Sequence, residues 1–155
     1  MSQQIPGALS LLRPTRENIL RICRNLSAEQ LNTVPEGFNN NLIWNAGHVI
    51  ATQELLTYGL SSMKTPSGRE FIDRYRKGTR PEGPVHQAEI DHILQQLEAG
   101  VDQLAVDLSD LTAANFREYE TSYGVTLRNL SDAMTFNNMH EAMHLGTMLA
   151  MRKLV

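Results

Sequence analysis

The spacing of apolar residues is the feature that most restricts how this chain can fold. In four segments apolar residues recur every three to four positions, the period of an amphipathic helix, and almost nowhere do they alternate as in a strand. The predicted helices run from about Pro14 to Leu26, from just after Asn41 to near Gly59, from Val85 to Leu108, and from Thr126 to Lys153. This pattern predicts an all-α protein, a four-helix bundle whose second and third connections are long.

Local signals mark where these helices begin. Pro14 is placed at the start of the first helix, where a missing N–H is least costly. Ser27–Gln30 has the form of a capping box that opens one short turn, and the Asn39–Asn41 run suits the N-cap of the second helix. A short helix around Arg69–Lys77 is predicted inside the connection at 61–84.

Composition and charge narrow the class of protein. The chain has 155 residues, with 41% apolar and 20% charged residues, which fits a single domain over residues 1–155. A net charge of -3 and a pI near 5.9 argue against a nucleic-acid partner. We expect no membrane span, because no apolar run is long enough, and a cytoplasmic location, because there is no signal-peptide pattern and Cys23 is the only cysteine.

Three histidines form the candidate chemical site. His140 and His144 are four residues apart on the last predicted helix, so both imidazoles leave the same face. His48 lies in the most apolar helix, where burial would keep the imidazole neutral and able to coordinate a metal. If these two helices are neighbours, three imidazoles can hold one divalent ion and leave open positions, as in catalytic sites. His86 and His92 lie elsewhere, and packing without metal remains the alternative for all of them.

The segment His140–His144 also matches the H-E-x-x-H pattern of zinc proteases, in which the glutamate activates water. The chain ends at Val155, too soon after His144 for the usual third ligand, and no strand pattern is present to bind an extended peptide. We therefore expect no protease. Glu141 remains the nearest candidate for catalytic proton transfer, and Glu54 and Asn137 are candidates to support the ligands.

Several motifs together resemble the DinB-like (DinB/YfiT-like) family over nearly the whole chain. Asn39–His48 resembles the family's second helix, and the segment from Thr126 to Gly146 resembles its last helix, in which two histidines precede a glycine. The segments Leu26–Leu31 and Val34–Gly37 resemble the link between its first two helices.

This resemblance implies a four-helix bundle with a bound divalent ion, most often zinc or nickel, held by His48, His140 and His144. It also implies a homodimer and a small-molecule substrate. Relatives include thiol S-transferases and isomerases that use a low-molecular-weight thiol, and others are described as metal-dependent hydrolases. Three functions stay open at this point: a metal-dependent enzyme of the thiol-transferase or hydrolase type, a non-catalytic metal-binding protein, and a metal-free helical interaction protein.

Overall fold

The computed structural model describes residues 4–155, including the side chains of residue 5 and of residues 7–155. In chain order the elements are α1 (Gln4–Arg24), α2 (Ala28–Asn32), α3 (Leu42–Glu54), α4 (Gly68–Tyr75), α5 (Gln87–Ala113), β1 (Tyr119–Glu120), β2 (Thr126–Leu127) and α6 (Leu130–Met151). A single π-helical turn, Leu55–Gly59, continues α3. The predicted all-α class is confirmed.

The four long helices pack so that α3 and α6 are neighbours. α1 packs against α5 and α6, and α3 packs against the same two helices. Ten consecutive residues, 41–50, are all buried, which explains why α3 is apolar around most of its circumference. In the described part of the chain no helix has both the length and the apolar character needed to span a bilayer.

The predicted start of α1 at Pro14 is wrong, because the helix begins ten residues earlier and Pro14 lies inside it. A proline within a helix removes one backbone hydrogen bond. That loss is offset by burial of Ala8 and Leu12, which pack in an apolar cluster with Tyr58 and Leu104. Tertiary packing therefore extends the helix past the residue that local rules read as its start.

The boundaries of the last two long helices also differ from the prediction. α5 continues past Leu108 to Ala113, and Leu111, which is 1% exposed, is the apolar residue that the extension buries. α6 begins at Leu130 rather than Thr126, since Thr126 and Leu127 pair antiparallel with Tyr119 and Glu120 in a small hairpin. The Asn129 side chain then accepts from the Asp132 N–H and caps α6.

The helix starts predicted from capping signals are confirmed. The Ser27 and Gln30 side chains form both hydrogen bonds of a capping box around α2. The Asn41 side chain accepts from the Trp44 N–H and caps α3. The short helix expected around Arg69–Lys77 is present as α4.

α4 lies directly on α3 at a glycine. A Cβ at Gly47 would be 2.5 Å from Cδ1 of Tyr75, so only a glycine allows the Tyr75 ring to lie against α3 at this point. The Tyr75 hydroxyl is in turn hydrogen-bonded to Glu89 of α5. This contact places the last residue of α4 beside His48.

Candidate metal centre

The structure brings together the three histidines predicted to form the site. One ring nitrogen from each of His48, His140 and His144 lies within 4.8 Å of the other two. Among the described residues, no other group of three or more potential ligand side chains lies close enough together to hold an ion. His86 and His92 lie outside this group, exposed on or beside α5.

The orientation of His48 is set on one face and at one edge of its ring. Its Nδ1 lies 2.7 Å from the Tyr75 carbonyl oxygen, so Nδ1 carries the proton and donates. The Trp44 ring stacks on the imidazole with a centroid separation of 4.6 Å. Nε2 is therefore the unprotonated nitrogen, and it lies 3.3 Å from both His140 Nε2 and the Thr52 hydroxyl.

His144 is oriented by Asn45. The Nδ2 group of Asn45 donates to the Asn41 carbonyl, which turns Oδ1 toward His144. Oδ1 lies 2.8 Å from His144 Nδ1, so this nitrogen donates and Nε2 is left free. Asn45 is 1% exposed, and its buried amide thus has partners on both of its polar atoms.

His140 completes the group from one turn earlier on α6. Its Nε2 lies 3.3 Å from His48 Nε2, and its ring centroid lies 4.5 Å from that of His144. Its Nδ1 is buried and has no hydrogen-bond partner among the described residues.

All three imidazoles are held neutral. Burial lowers the pKa of His48, and the hydrogen bond to the Tyr75 carbonyl only partly opposes that effect. Burial, followed by the neighbouring His144 and His48, lowers the pKa of His140 to about 3. Burial and His48 lower the pKa of His144 to about 4. Neutral imidazole is the form that coordinates metal ions, so near pH 7 all three rings can act as ligands.

One of the distances between ligand nitrogens matches the spacing around a divalent ion. Two imidazole nitrogens that each lie about 2.0–2.1 Å from a tetrahedral ion are about 3.3–3.4 Å apart. The separation of His48 Nε2 from His140 Nε2 is 3.3 Å. Nitrogen donors of this kind suit zinc and nickel, and three protein ligands leave room for an exogenous one.

Glu141 lies in the core and not among the three histidines. Both of its carboxylate oxygens accept from Arg16, at 2.6 Å from Nε and 2.7 Å from Nη2. Asn137 donates a third hydrogen bond to the same carboxylate at 2.9 Å. Arg16 and Glu141 are both almost completely buried. In the H-E-x-x-H proteases the glutamate must reach metal-bound water, whereas this one is held by an arginine of α1.

The two residues expected to support the ligands have other partners. Asn137 donates to Glu141, as described above, and Glu54 accepts from both the backbone N–H and the hydroxyl of Ser67. The residues that do orient the histidines are Asn45 and the backbone carbonyl of Tyr75. A signal for Asn45 exists in the sequence, since it is a polar residue in an otherwise apolar stretch close to His48. No sequence signal identifies a backbone carbonyl on a separate helix.

The role of Asn45 leads to a prediction. Replacing Asn45 with alanine removes the acceptor that orients His144, and losing such a partner typically weakens metal binding about 10- to 100-fold. The measurement is a competition titration of zinc against a chelator. Asn18→Ala is the control, because Asn18 is also helical but donates only to the Pro14 carbonyl on α1. Equal zinc affinities in the Asn45 variant and the wild type would contradict the assignment.

Comparison with known protein families agrees with the geometry. The family model described as the DinB superfamily matches residues 11–148, which is most of the chain and includes all three histidines. The chain belongs to the DinB superfamily. The resemblance seen in the sequence motifs is thus confirmed. The three histidines of this DinB protein are placed so that they could hold a metal ion. A search of curated proteins found no match to the chain.

Proposed function

We propose that this DinB protein is a metal-dependent enzyme that acts on a small molecule, with one divalent ion held by His48, His140 and His144. The observation that carries the proposal is the convergence of three neutral imidazoles whose ring nitrogens lie within 4.8 Å of one another. Two of the three rings have a second nitrogen already engaged, by the Tyr75 carbonyl and by Asn45. Such outer partners are what fix the tautomer and direction of metal-binding histidines.

The chemistry available at the site follows from its donors. An ion bound there would act as a Lewis acid, which lowers the pKa of a coordinating thiol or water toward neutrality. The protein contributes the arrangement of the three rings. The His48 ring stacks on Trp44 and is hydrogen-bonded through Nδ1 to the Tyr75 carbonyl at the end of α4. His48 is buried, whereas His140 and His144 are only partly buried, so solvent reaches two of the three residues of the cluster.

Of the two reaction types expected, thiol transfer requires less from this site than hydrolysis. Among the described residues no carboxylate belongs to the group of potential ligands, and Glu141 is already bound by Arg16. Hydrolysis at a metal centre commonly uses a nearby general base, often a carboxylate, to take a proton from water. A low-molecular-weight thiol that coordinated the ion would lose its proton to solvent near neutral pH, and the thiolate would then displace a leaving group from an electrophile without a general base from the protein. The position of Glu141 favours a structural role for it over the proton transfer expected from the sequence.

Metal analysis tests the proposal directly. After dialysis against metal-free buffer and reconstitution with zinc or nickel, the wild type is expected to retain about one ion per chain by elemental analysis. His48→Ala is expected to retain none while keeping its helical circular dichroism spectrum. His92→Ala is the matched control, since His92 is exposed and outside the cluster, and it should bind like the wild type. Full occupancy in His48→Ala would exclude the three-histidine site.

A non-catalytic metal site is the second candidate, and the absence of a free carboxylate in the cluster also favours it. The two candidates differ in one measurement. The reconstituted wild type should transfer a small thiol to an alkyl or aryl electrophile faster than the His48→Ala protein does. Equal rates for the two proteins, with metal bound only in the wild type, would support the non-catalytic candidate.

A further inference from the structure

The hydroxyl of Thr52 is directed at the histidine cluster. Thr52 lies one turn after His48 on α3, is partly exposed, and places its Oγ 3.3 Å from His48 Nε2. Because His48 Nδ1 donates to the Tyr75 carbonyl, Nε2 is an acceptor, and the Thr52 hydroxyl is the donor.

This conformation differs from that of the other helical threonines. A threonine in a helix commonly donates to the carbonyl four residues earlier. Within the described helices and the π-helical turn, each of the other threonines makes that bond, at 2.7–3.2 Å: Thr15, Thr57, Thr112, Thr135 and Thr147. The Thr52 hydroxyl is instead turned toward the site. Local helix preference does not explain that choice, so its cause lies in the cluster.

A bound ion would change what this hydroxyl can do. The lone pair of His48 Nε2 would then be engaged, and the Thr52 hydroxyl would lose its present acceptor. Its oxygen would still lie at the edge of the cluster, beside the nitrogens of His48 and His140 that are 3.3 Å apart. An anion or other electron-rich ligand on the ion would offer this hydroxyl a new acceptor, in competition with the His48 backbone carbonyl four residues earlier.

We propose that Thr52 is a ligand-recognition residue of the metal centre, whose hydroxyl donates a hydrogen bond to a small anionic ligand, such as a thiolate, at the open side of the ion. The inference rests on the proposed metal site. It adds a preference of the site for anionic ligands over neutral ones, since a hydroxyl donor stabilises a charged acceptor more than a neutral acceptor.

The test uses azide as the anionic probe and cobalt(II) as the spectroscopic metal. Cobalt(II) is titrated into the wild type and into Thr52→Val, Thr52→Ser and Thr112→Val, and azide affinity is then read from the cobalt absorption bands. Valine keeps the shape of threonine without the hydroxyl, serine keeps the hydroxyl, and Thr112 is an exposed threonine of α5 outside the cluster. We expect Thr52→Val to bind cobalt like the wild type but azide about tenfold more weakly, the effect of losing one hydrogen bond to a charged group. Thr52→Ser and Thr112→Val should stay within about twofold of the wild type.

Each other outcome overturns the inference in a distinguishable way. Unchanged azide affinity in Thr52→Val would mean that the hydroxyl returns to the His48 carbonyl when metal binds. Equal weakening in the valine and serine variants would show that the hydroxyl by itself does not account for the effect, because serine retains it. Loss of cobalt binding in Thr52→Val would make Thr52 a support for His48 and not a recognition residue. No cobalt binding in the wild type would overturn the metal site itself, and the inference with it.

Discussion

Replacing Glu141 with alanine is expected to lower the free energy of unfolding by about 3–5 kcal/mol, the usual cost of leaving one partner of a buried ion pair alone. Arg16 would stay in the core with its Nε unpaired and its Nη2 holding only a 3.5 Å hydrogen bond to Gln53, next to an Nη1 that has no partner among the described residues. Asn137 would lose its acceptor as well. For a chain of this size the change corresponds to a fall in Tm of about 6–20 °C.

Asp102→Ala provides the matched control for that measurement. Asp102 accepts from Arg13 at 2.6 Å, also between α1 and another helix, but both side chains are about half exposed or more. Solvent screening reduces such a pair to under about 1 kcal/mol. In thermal and denaturant unfolding, the loss of free energy of unfolding should therefore be severalfold larger for the Glu141 variant than for the Asp102 variant. A Glu141 variant that loses no more stability than the Asp102 variant would show that the buried pair contributes little to the fold.

Replacing Gly47 with alanine is expected to affect both stability and metal binding. The new Cβ would lie 2.5 Å from Cδ1 and 2.7 Å from Cγ of Tyr75, and rings do not approach so closely. The Tyr75 hydroxyl is hydrogen-bonded to Glu89, whose position is also set by Arg74, so moving the ring away would break its bond to Glu89. Overpacking of this kind costs about 1–3 kcal/mol. Displacement of α4 would also move the Tyr75 carbonyl from His48, and we expect zinc affinity to fall at least about tenfold.

Gly146→Ala separates this effect from the general consequence of adding a methyl group to a helical glycine. Gly146 is exposed on α6, and a Cβ there would meet nothing within 4 Å. Its replacement should stabilise the protein by about 0.5–1 kcal/mol through helix propensity and leave zinc affinity unchanged. Unfolding measurements and chelator competition on both variants provide the comparison. A Gly47 variant that behaves like the Gly146 variant would show that α4 does not fix the position of His48.

The parts of the structure that were predicted correctly depend on residues close together in the chain. The capping side chains of Ser27 and Asn41 act on N–H groups three residues away, and the His140–His144 pair shares a face because four residues make about one helical turn. The incorrect start of α1 shows where such rules fail. Pro14 satisfies the local criterion for a helix start, but burial of Ala8 and Leu12 in a distant cluster outweighs it.

The helical class, the family motifs and the pair of histidines on α6 could all be predicted from the amino-acid sequence, because periodicity and capping act over a few residues. The surroundings of these residues depend instead on how the helices pack. His48 meets His140 across 92 positions, its second nitrogen is satisfied by a carbonyl at the end of α4, and Glu141 is joined to Arg16 across 125 positions. These partners come together because a buried polar group must find a hydrogen bond or an opposite charge, and which distant segment supplies it depends on how the helices pack.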